Sequence, residues 1–475
     1  MAIQMIVRSV VKKRWLTALF IGGLALFIWG VGSSLTSEES SESSAQQPEA
    51  IQFSGFMVGA AKIDITPDPK SMPVPLNGYG DRDKKPAIGV LDPLYARALV
   101  VKDPTGKFIG LVSADLCYIN SEIHDQVVRD LKRYGFTADT LLLAATHTHG
   151  AFAGYDHRYI ARKFFGEFDQ RLFNLAASGL VNAVIQAKQH LQPAVMETTT
   201  IALKDKNRSR RDPAFVFDET NSKGSRKEPP KPDPKKYPVD PRLTVARFRT
   251  SDSRPIAVFI NFASHPTVIS YANLRITADW PGAMCKRLEE RLGGDAIALF
   301  FNGTEGDSAP PYDWSTLAGE IAQSQEYGAQ MADEVTRALS QTKPSMSQIA
   351  IGHKSYRDFS IVKPKQILKI PIPPFLAKGV FYMRPDVPFQ AVRMGDLLLM
   401  GVPGEPTCAV GKSLEAFCPA GLRCLTISLA NDHISYIVSP DEYPEQGYAS
   451  EMCFFGPETA IKVKDGIASA IQNLK

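Results

Sequence analysis

Leu141-Leu142-Leu143-Ala144-Ala145-Thr146-His147-Thr148-His149-Gly150 is an apolar run that ends in two imidazoles. Five apolar residues without polar alternation read as a strand covered on both faces. Residues i and i+2 of an extended backbone point to the same side. His147 and His149 would therefore project together from the carboxyl end of the strand, where open α/β sheets place their sites. Neutral imidazole is a common zinc ligand. The pair alone leaves two readings open, a metal site or two ordinary polar residues at a strand end.

Working outward, residues 121–134 carry Ile123, Val127, Val128 and Leu131 on one helical face, with Ser121 as cap. Two strands, 94–101 and 108–115, flank the turn Pro104-Thr105-Gly106, so strand, helix and strand form a βαβ unit. Residues 168–188 keep helical spacing. The strands 243–248 and 256–263 follow, the second ending in Ser264-His265-Pro266-Thr267. Asp279 is placed to cap a helix to about residue 292. The strand 296–301 runs into Asn302-Gly303-Thr304-Glu305-Gly306-Asp307-Ser308-Ala309-Pro310, and a helix spans 317–340. The strand 396–402 leads to Pro403-Gly404-Glu405, then a helix to Phe417, and 425–430 leads to Asn431 and Tyr436. No internal repeat is visible. The alternation predicts an α/β fold with a mixed, largely parallel central sheet flanked by helices.

Four strand exits thus deliver polar side chains: His147 with His149, His265, Glu405 and Tyr436. Two imidazoles and a carboxylate would hold zinc with a position left open for water, which polarises a carbonyl and makes water a better nucleophile.

The amino terminus reads differently. Residues 1–14 are basic, with Arg8, Lys12, Lys13 and Arg14, and residues 15–35 form an uncharged stretch long enough to span a bilayer. This reads as a signal peptide or a signal anchor, and the length of the run favours an uncleaved anchor, a single N-terminal transmembrane helix with a cytoplasmic basic segment and everything after it extracytoplasmic, whether periplasmic, extracellular or luminal. Residues 36–51, rich in Ser and Glu, form a disordered linker. One catalytic domain then occupies 52–475, and its proline-rich stretch 204–241 reads as a surface insertion. With 475 residues, 44% of them hydrophobic, the chain can bury a large core. A net charge of +4 gives no reason to expect nucleic acid as a partner, and no protein partner can be inferred. Six cysteines form no CxxC pattern; Cys418 and Cys424 either bridge a short loop or stay free and buried like the others.

Several stretches, in order from about Val58 to Pro457, resemble the neutral/alkaline non-lysosomal ceramidase family, specifically its amino-terminal catalytic domain. They include Asn77-Gly78-Tyr79, Ala145-Thr146-His147-Thr148-His149, Asn207-Arg208-Ser209, His265-Pro266-Thr267, Gly306-Asp307, Pro403-Gly404-Glu405 and 434–443. The resemblance implies one zinc ion held by His147, His265, Glu405 and Tyr436, with Tyr443 as the alternative tyrosine. It implies that His149 hydrogen-bonds the reacting group and that Arg208 contacts a polar group of the substrate. The implied reaction is hydrolysis of the amide of N-acylsphingosine, with Tyr436 and His149 serving the oxyanion and the departing nitrogen. The family pattern Gly-Asp-x-Ser-Pro appears here as Gly306-Asp307-Ser308-Ala309-Pro310, so Ala309 stands at the serine position and Ser308 is the candidate replacement. The chain ends soon after Gly456-Pro457, leaving no room for the family's carboxy-terminal β-sandwich.

The expected activity is therefore that of a zinc amidohydrolase acting on ceramide or a related N-acyl lipid at a membrane. The alternatives are a zinc hydrolase of other amides or esters, and a non-catalytic lipid-binding homologue.

Overall fold

The computed structural model describes residues 55–474 apart from 215–230, 294, 314, 345–350, 358–386 and 446. The basic segment, the proposed membrane helix 15–35, the linker and the middle of the insertion lie outside the described residues. Three sheets dominate the compact unit. The first holds β1 (Met57–Asp64), β2 (Tyr95–Lys102), β3 (Phe108–Ala114) and β4 (Leu141–Ala145), with helix α1 (Ser121–Leu131) before β4 and α2 (Gln170–Gln189) after it. The second holds β5 (Val195–Ala202), β6 (Arg242–Arg249), β7 (Pro255–Phe262) and β8 (Ile297–Asn302), with α3 (Asp279–Leu292) and α4 (Leu317–Leu339) in the same places. The third holds β9 (Ile351–Arg357), β10 (Pro388–Met394), β11 (Leu397–Gly401) and β12 (Arg423–Ile427), with α5 (Cys408–Glu415) and α6 (Glu458–Gln472).

Each sheet therefore repeats one plan, an antiparallel three-stranded meander followed by helix, parallel strand and helix, with these four strands in sequential order; a two-residue strand, Gln192–Pro193 beside β1 and Lys343–Pro344 beside β5, extends the first two sheets. The parallel pairs are β3 with β4, β7 with β8, and β11 with β12. The expected largely parallel central sheet is thereby corrected: the fold is mixed α/β with several sheets, each antiparallel except for one parallel pair. Most meander strands were legible one by one, but Val195–Ala202, Ile351–Arg357 and Pro388–Met394 passed unread, and the antiparallel direction of pairing is not written in local periodicity. A topological repeat also exists where none shows in the residues. The predicted membrane helix has no support here, since among the described residues no helix is long and apolar enough to cross a membrane.

Side-chain alternation explains the layering. Leu142, Ala144, Phe259, Leu299, Leu399 and Leu425 from the three sheets meet in one shared core. Their neighbours turn the other way: Leu141 and Leu143 pack under α1 and α2, Val258 and Ile260 under α3 and α4, and Leu398 and Met400 beside α5 and α6. Both faces of the parallel strands are covered, so their sequences are continuously apolar. Local signals differ in detail from expectation. Asn120 rather than Ser121 caps α1, accepting from Ile123 N at 2.8 Å. Asp279 opens α3 at φ 51°, with Oδ1 accepting from Trp280 N and Ser324 Oγ. Cys418 and Cys424 form the short disulfide, and Cys117, Cys285, Cys408 and Cys453 are free and buried.

Candidate active site

The carboxyl ends of the parallel strands converge. His147 follows β4, His265 follows β7, Glu405 follows β11, and Tyr436 lies beyond β12, brought beside Glu405 by a short parallel pairing of Glu405-Pro406 with Tyr436-Ile437. Asn431 docks the last segment onto β4: its backbone N donates to Leu143 O at 2.8 Å and its side-chain oxygen accepts from Leu143 N at 2.9 Å. Asn302, at the end of β8, joins the two histidine loops by donating to Thr146 O and Ser264 O.

The ligand atoms of His147, His265 and Glu405 all lie within 4.8 Å of one another, and all three residues are buried. His147 Nε2 is 2.9 Å from His265 Nε2, and Glu405 Oε2 is 3.3 and 3.7 Å from the two nitrogens. Tyr436 Oη stands 3.4 Å from His265 Nε2. The tautomers follow from the backbone, because His147 Nδ1 faces Cys117 O at 2.6 Å and His265 Nδ1 faces Glu305 O at 2.9 Å. Each Nδ1 must carry a proton to meet a carbonyl, so in the neutral rings both Nε2 atoms present lone pairs. Glu405 Oε2 is buried and takes no well-formed hydrogen bond. Two imidazole lone pairs and a carboxylate oxygen converging within 4.8 Å of one another suit a cation, and nitrogen with carboxylate oxygen is a donor set for a transition-type divalent ion. Burial disfavours an imidazolium at His147, yet Glu405 and Cys117 outweigh it and raise its pKa well above the ordinary value. Burial, Arg210 and His147 lower that of His265. Burial then opposes ionisation of Glu405, but His147 and its hydrogen bonds hold its pKa well down.

His149 joins the cluster by a route other than the predicted one. The chain leaves extended geometry after Ala145, and His147 sits at φ 74°, a left-handed conformation that costs a branched chain about 1 kcal/mol or more. The same-side rule for strands does not operate there, yet the turn brings His149 Nε2 to 3.3 Å from His147 Nε2. Arg82 holds this turn by donating to Asn77 O at 2.7 Å and His149 O at 2.5 Å. Gly78, at φ +86°, lies against the His149 ring, and Tyr79 meets the ring edge-on at 4.6 Å. Burial, His147 and His265 lower the His149 pKa, leaving a neutral imidazole.

Three candidates are not brought into the cluster. Ser308 is fully buried, and its hydroxyl donates to Ala263 O at 2.9 Å. Adjacent residues of its short strand with Arg208-Ser209 face opposite ways, which gives Ser308 the inward side. Arg208 donates to Tyr312 O and to Asp313. Tyr443 packs with Tyr436, Val438, Ala449 and Cys453. The sequence reading overlooked Arg210, whose Nη1 lies 3.2 Å from Tyr436 Oη, and His433, whose Nε2 lies 3.0 Å from Glu405 Oε1. The His433 ring stacks on Tyr118 at 4.7 Å. Their one advance signal is position, each immediately adjacent to a motif already in view.

An α/β framework with a buried His-His-Glu cluster at its strand ends defines a protein built around a metal-type centre. The match to known proteins narrows this. Residues 56–325 fit the family model for the amino-terminal part of neutral/alkaline non-lysosomal ceramidase, and the chain belongs to that family. It is 27% identical over 240 residues to neutral ceramidase 1 of Arabidopsis thaliana, covering 50% of this chain and 29% of that one. It is 30% identical over 270 residues to neutral ceramidase B of Dictyostelium discoideum, covering 54% and 36%. The chain thus spans well under two thirds of these curated relatives. The solved neutral ceramidase from Pseudomonas aeruginosa superposes with a TM-score of 0.75 at 21% identity, covering 88% of this chain and 74% of that one, a likeness of fold.

Proposed function

We propose that this chain hydrolyses the amide bond of ceramide or a closely related N-acyl lipid, with one Zn2+ held by His147, His265, Glu405 and Tyr436. The observation that carries the reading is the convergence of three ligand-type atoms, the two Nε2 atoms and Glu405 Oε2, within 4.8 Å of one another. Bound zinc supplies Lewis acidity toward a carbonyl and toward water. The residues supply the rest. Neutral His149 takes or gives a proton beside the reacting amide and delivers it to the departing nitrogen. The Tyr436 hydroxyl faces the oxygen on which charge develops. His433 holds Glu405 through Oε1, keeping Oε2 turned to the histidines. Ser308 serves the loop through Ala263. The Cys418–Cys424 bridge supports an oxidising, extracytoplasmic compartment for the domain.

The test is release of fatty acid from ceramide by purified protein with and without chelation, alongside metal analysis. Stoichiometric zinc and turnover abolished by chelation are expected; zinc-loaded protein that releases no acid ends the reading. Ala309 at the family's serine position favours a second reading, a lipid-binding homologue without turnover, which multiple turnovers would exclude.

A further inference from the structure

The stretch 208–211 presents three arginines, and two of them are paired with carboxylates: Arg208 with Asp313, and Arg211 with Glu442 and Glu445. Arg210 differs. Among the described residues it forms no ion pair, although its guanidinium lies beside the cluster and 5.5 Å from the Tyr448 ring. Its backbone is fixed by donation to Asp307 O at 2.7 Å, which ties it to the loop that carries Glu305. Nη1 lies 3.1 Å from His265 Nε2 and 3.2 Å from Tyr436 Oη. Nε and Nη2 have no hydrogen-bond partner among the described residues, and the side chain is only half-buried.

The acceptor count is decisive. His265 Nδ1 is committed to Glu305 O, so its Nε2 offers one lone pair, which lies in the ring plane and faces His147 Nε2 and Glu405 Oε2. Arg210 Nη1, 3.2 Å from Nδ1 and 3.1 Å from Nε2, sits over the ring face, where no lone pair accepts, so besides Tyr436 Oη it needs another acceptor. A sheltered guanidinium without a carboxylate, next to a site that itself collects positive charge, is complementary to an anionic oxygen.

Building on the hydrolase reading, we propose that Arg210 is a catalytic residue that grips the acyl oxygen. That oxygen turns anionic when water adds to the acyl carbon. The carbon–nitrogen bond then breaks, the nitrogen leaves with a proton as the amine, and the oxygen remains in the carboxylate of the released acid. The ligand class assigned to Arg210 is a linear monocarboxylate and the oxyanion that precedes it. The neighbouring Arg208 and Arg211 fold the loop through their acidic partners.

The experiment compares wild type, Arg210→Gln and Arg210→Lys as metal-loaded proteins. Calorimetric titration with octanoate, and with octan-1-ol as neutral control, is run beside ceramide kinetics and metal analysis. Arg210→Gln is expected to weaken octanoate by at least about tenfold, leave octanol unchanged, and lower kcat about 10²- to 10³-fold with little change in KM. Arg210→Lys keeps the charge without the fork and falls between. Equal octanoate binding or equal kcat in both variants overturns the proposal. So does loss of metal in parallel with loss of binding, which would make Arg210 a support for His265. If wild type turns over no ceramide while octanoate binding still depends on Arg210, the hydrolase reading fails and the anion grip stands.

Discussion

Replacing Gly78 by alanine places a Cβ 2.3 Å from Cγ, 2.6 Å from Cβ and 2.7 Å from Nδ1 of His149. Ordinary contact begins near 3.4 Å, so the imidazole must withdraw by about 1 Å. It has little freedom to do so, with Tyr79 at 4.6 Å, the His147 ring at 4.8 Å and its own carbonyl held by Arg82. Backbone strain at φ +86° adds about 1–2 kcal/mol to the cost for any L-residue. A displacement of about 1 Å in a proton-transfer group lowers turnover roughly 10²-fold, or about 2.7 kcal/mol in the barrier. Metal content should not change, because His147, His265 and Glu405 remain in place. The control is Gly106→Ala, which has the same sign of φ, +91°, and nothing within 4 Å of its added Cβ. It should lose stability and keep its kcat. Initial rates on a fluorescent ceramide, thermal denaturation and metal analysis of both variants decide the matter. Wild-type kcat in Gly78→Ala, or an equal loss of kcat in Gly106→Ala, refutes the assignment of His149.

Three further outcomes are expected. Arg97→Ala strands the buried Asp115 carboxylate, now 2.6 Å from the guanidinium with both side chains at most 2% exposed, and should cost about 3–5 kcal/mol, read as a lower Tm. Asp307 is pushed up to about 7 by burial and by Glu442, so its protonated form is the one the fold prefers. That contribution is full below the ordinary aspartate range and is lost as pH rises through about 7, so Tm should fall less across this window in Asp307→Asn than in wild type; parallel profiles would contradict it. Ser308→Ala removes one of two hydrogen bonds to Ala263 O, the other coming from Asn207, and should cost about 1 kcal/mol while changing kcat less than tenfold. A larger kinetic loss would return the hydroxyl to the chemistry.

What the sequence disclosed follows from where burial is two-sided. Leu141–Ala145, Pro255–Phe262 and Leu397–Gly401 are covered on both faces and read as largely apolar strings, so the ligand-bearing exits were visible. Val195–Ala202 and Pro388–Met394 mix Thr, Glu, Gln and Arg into their pairing and passed unnoticed, and with them went the antiparallel majority. Strand order depends on pairings between distant residues, which local periodicity does not encode. At the site, residue types in motifs were legible, whereas side-chain direction was not. Arg208 and Arg210 are the same residue type two positions apart, and only the partners Asp313 and Tyr436 separate them.

The threefold plan has a consequence for how the centre comes into being. Each repeat contributes to the cluster from one of its two parallel strands, His147 from the last strand of the first repeat and His265 and Glu405 from the third strands of the other two, and the contributions are far apart along the chain. With the proposed zinc site, no single repeat would hold the ion tightly, so its binding energy would be released only on docking all three and would act as a keystone between three similar units. Loosening any one unit should then open the centre, making metal loss an early reporter of partial unfolding in any of the three.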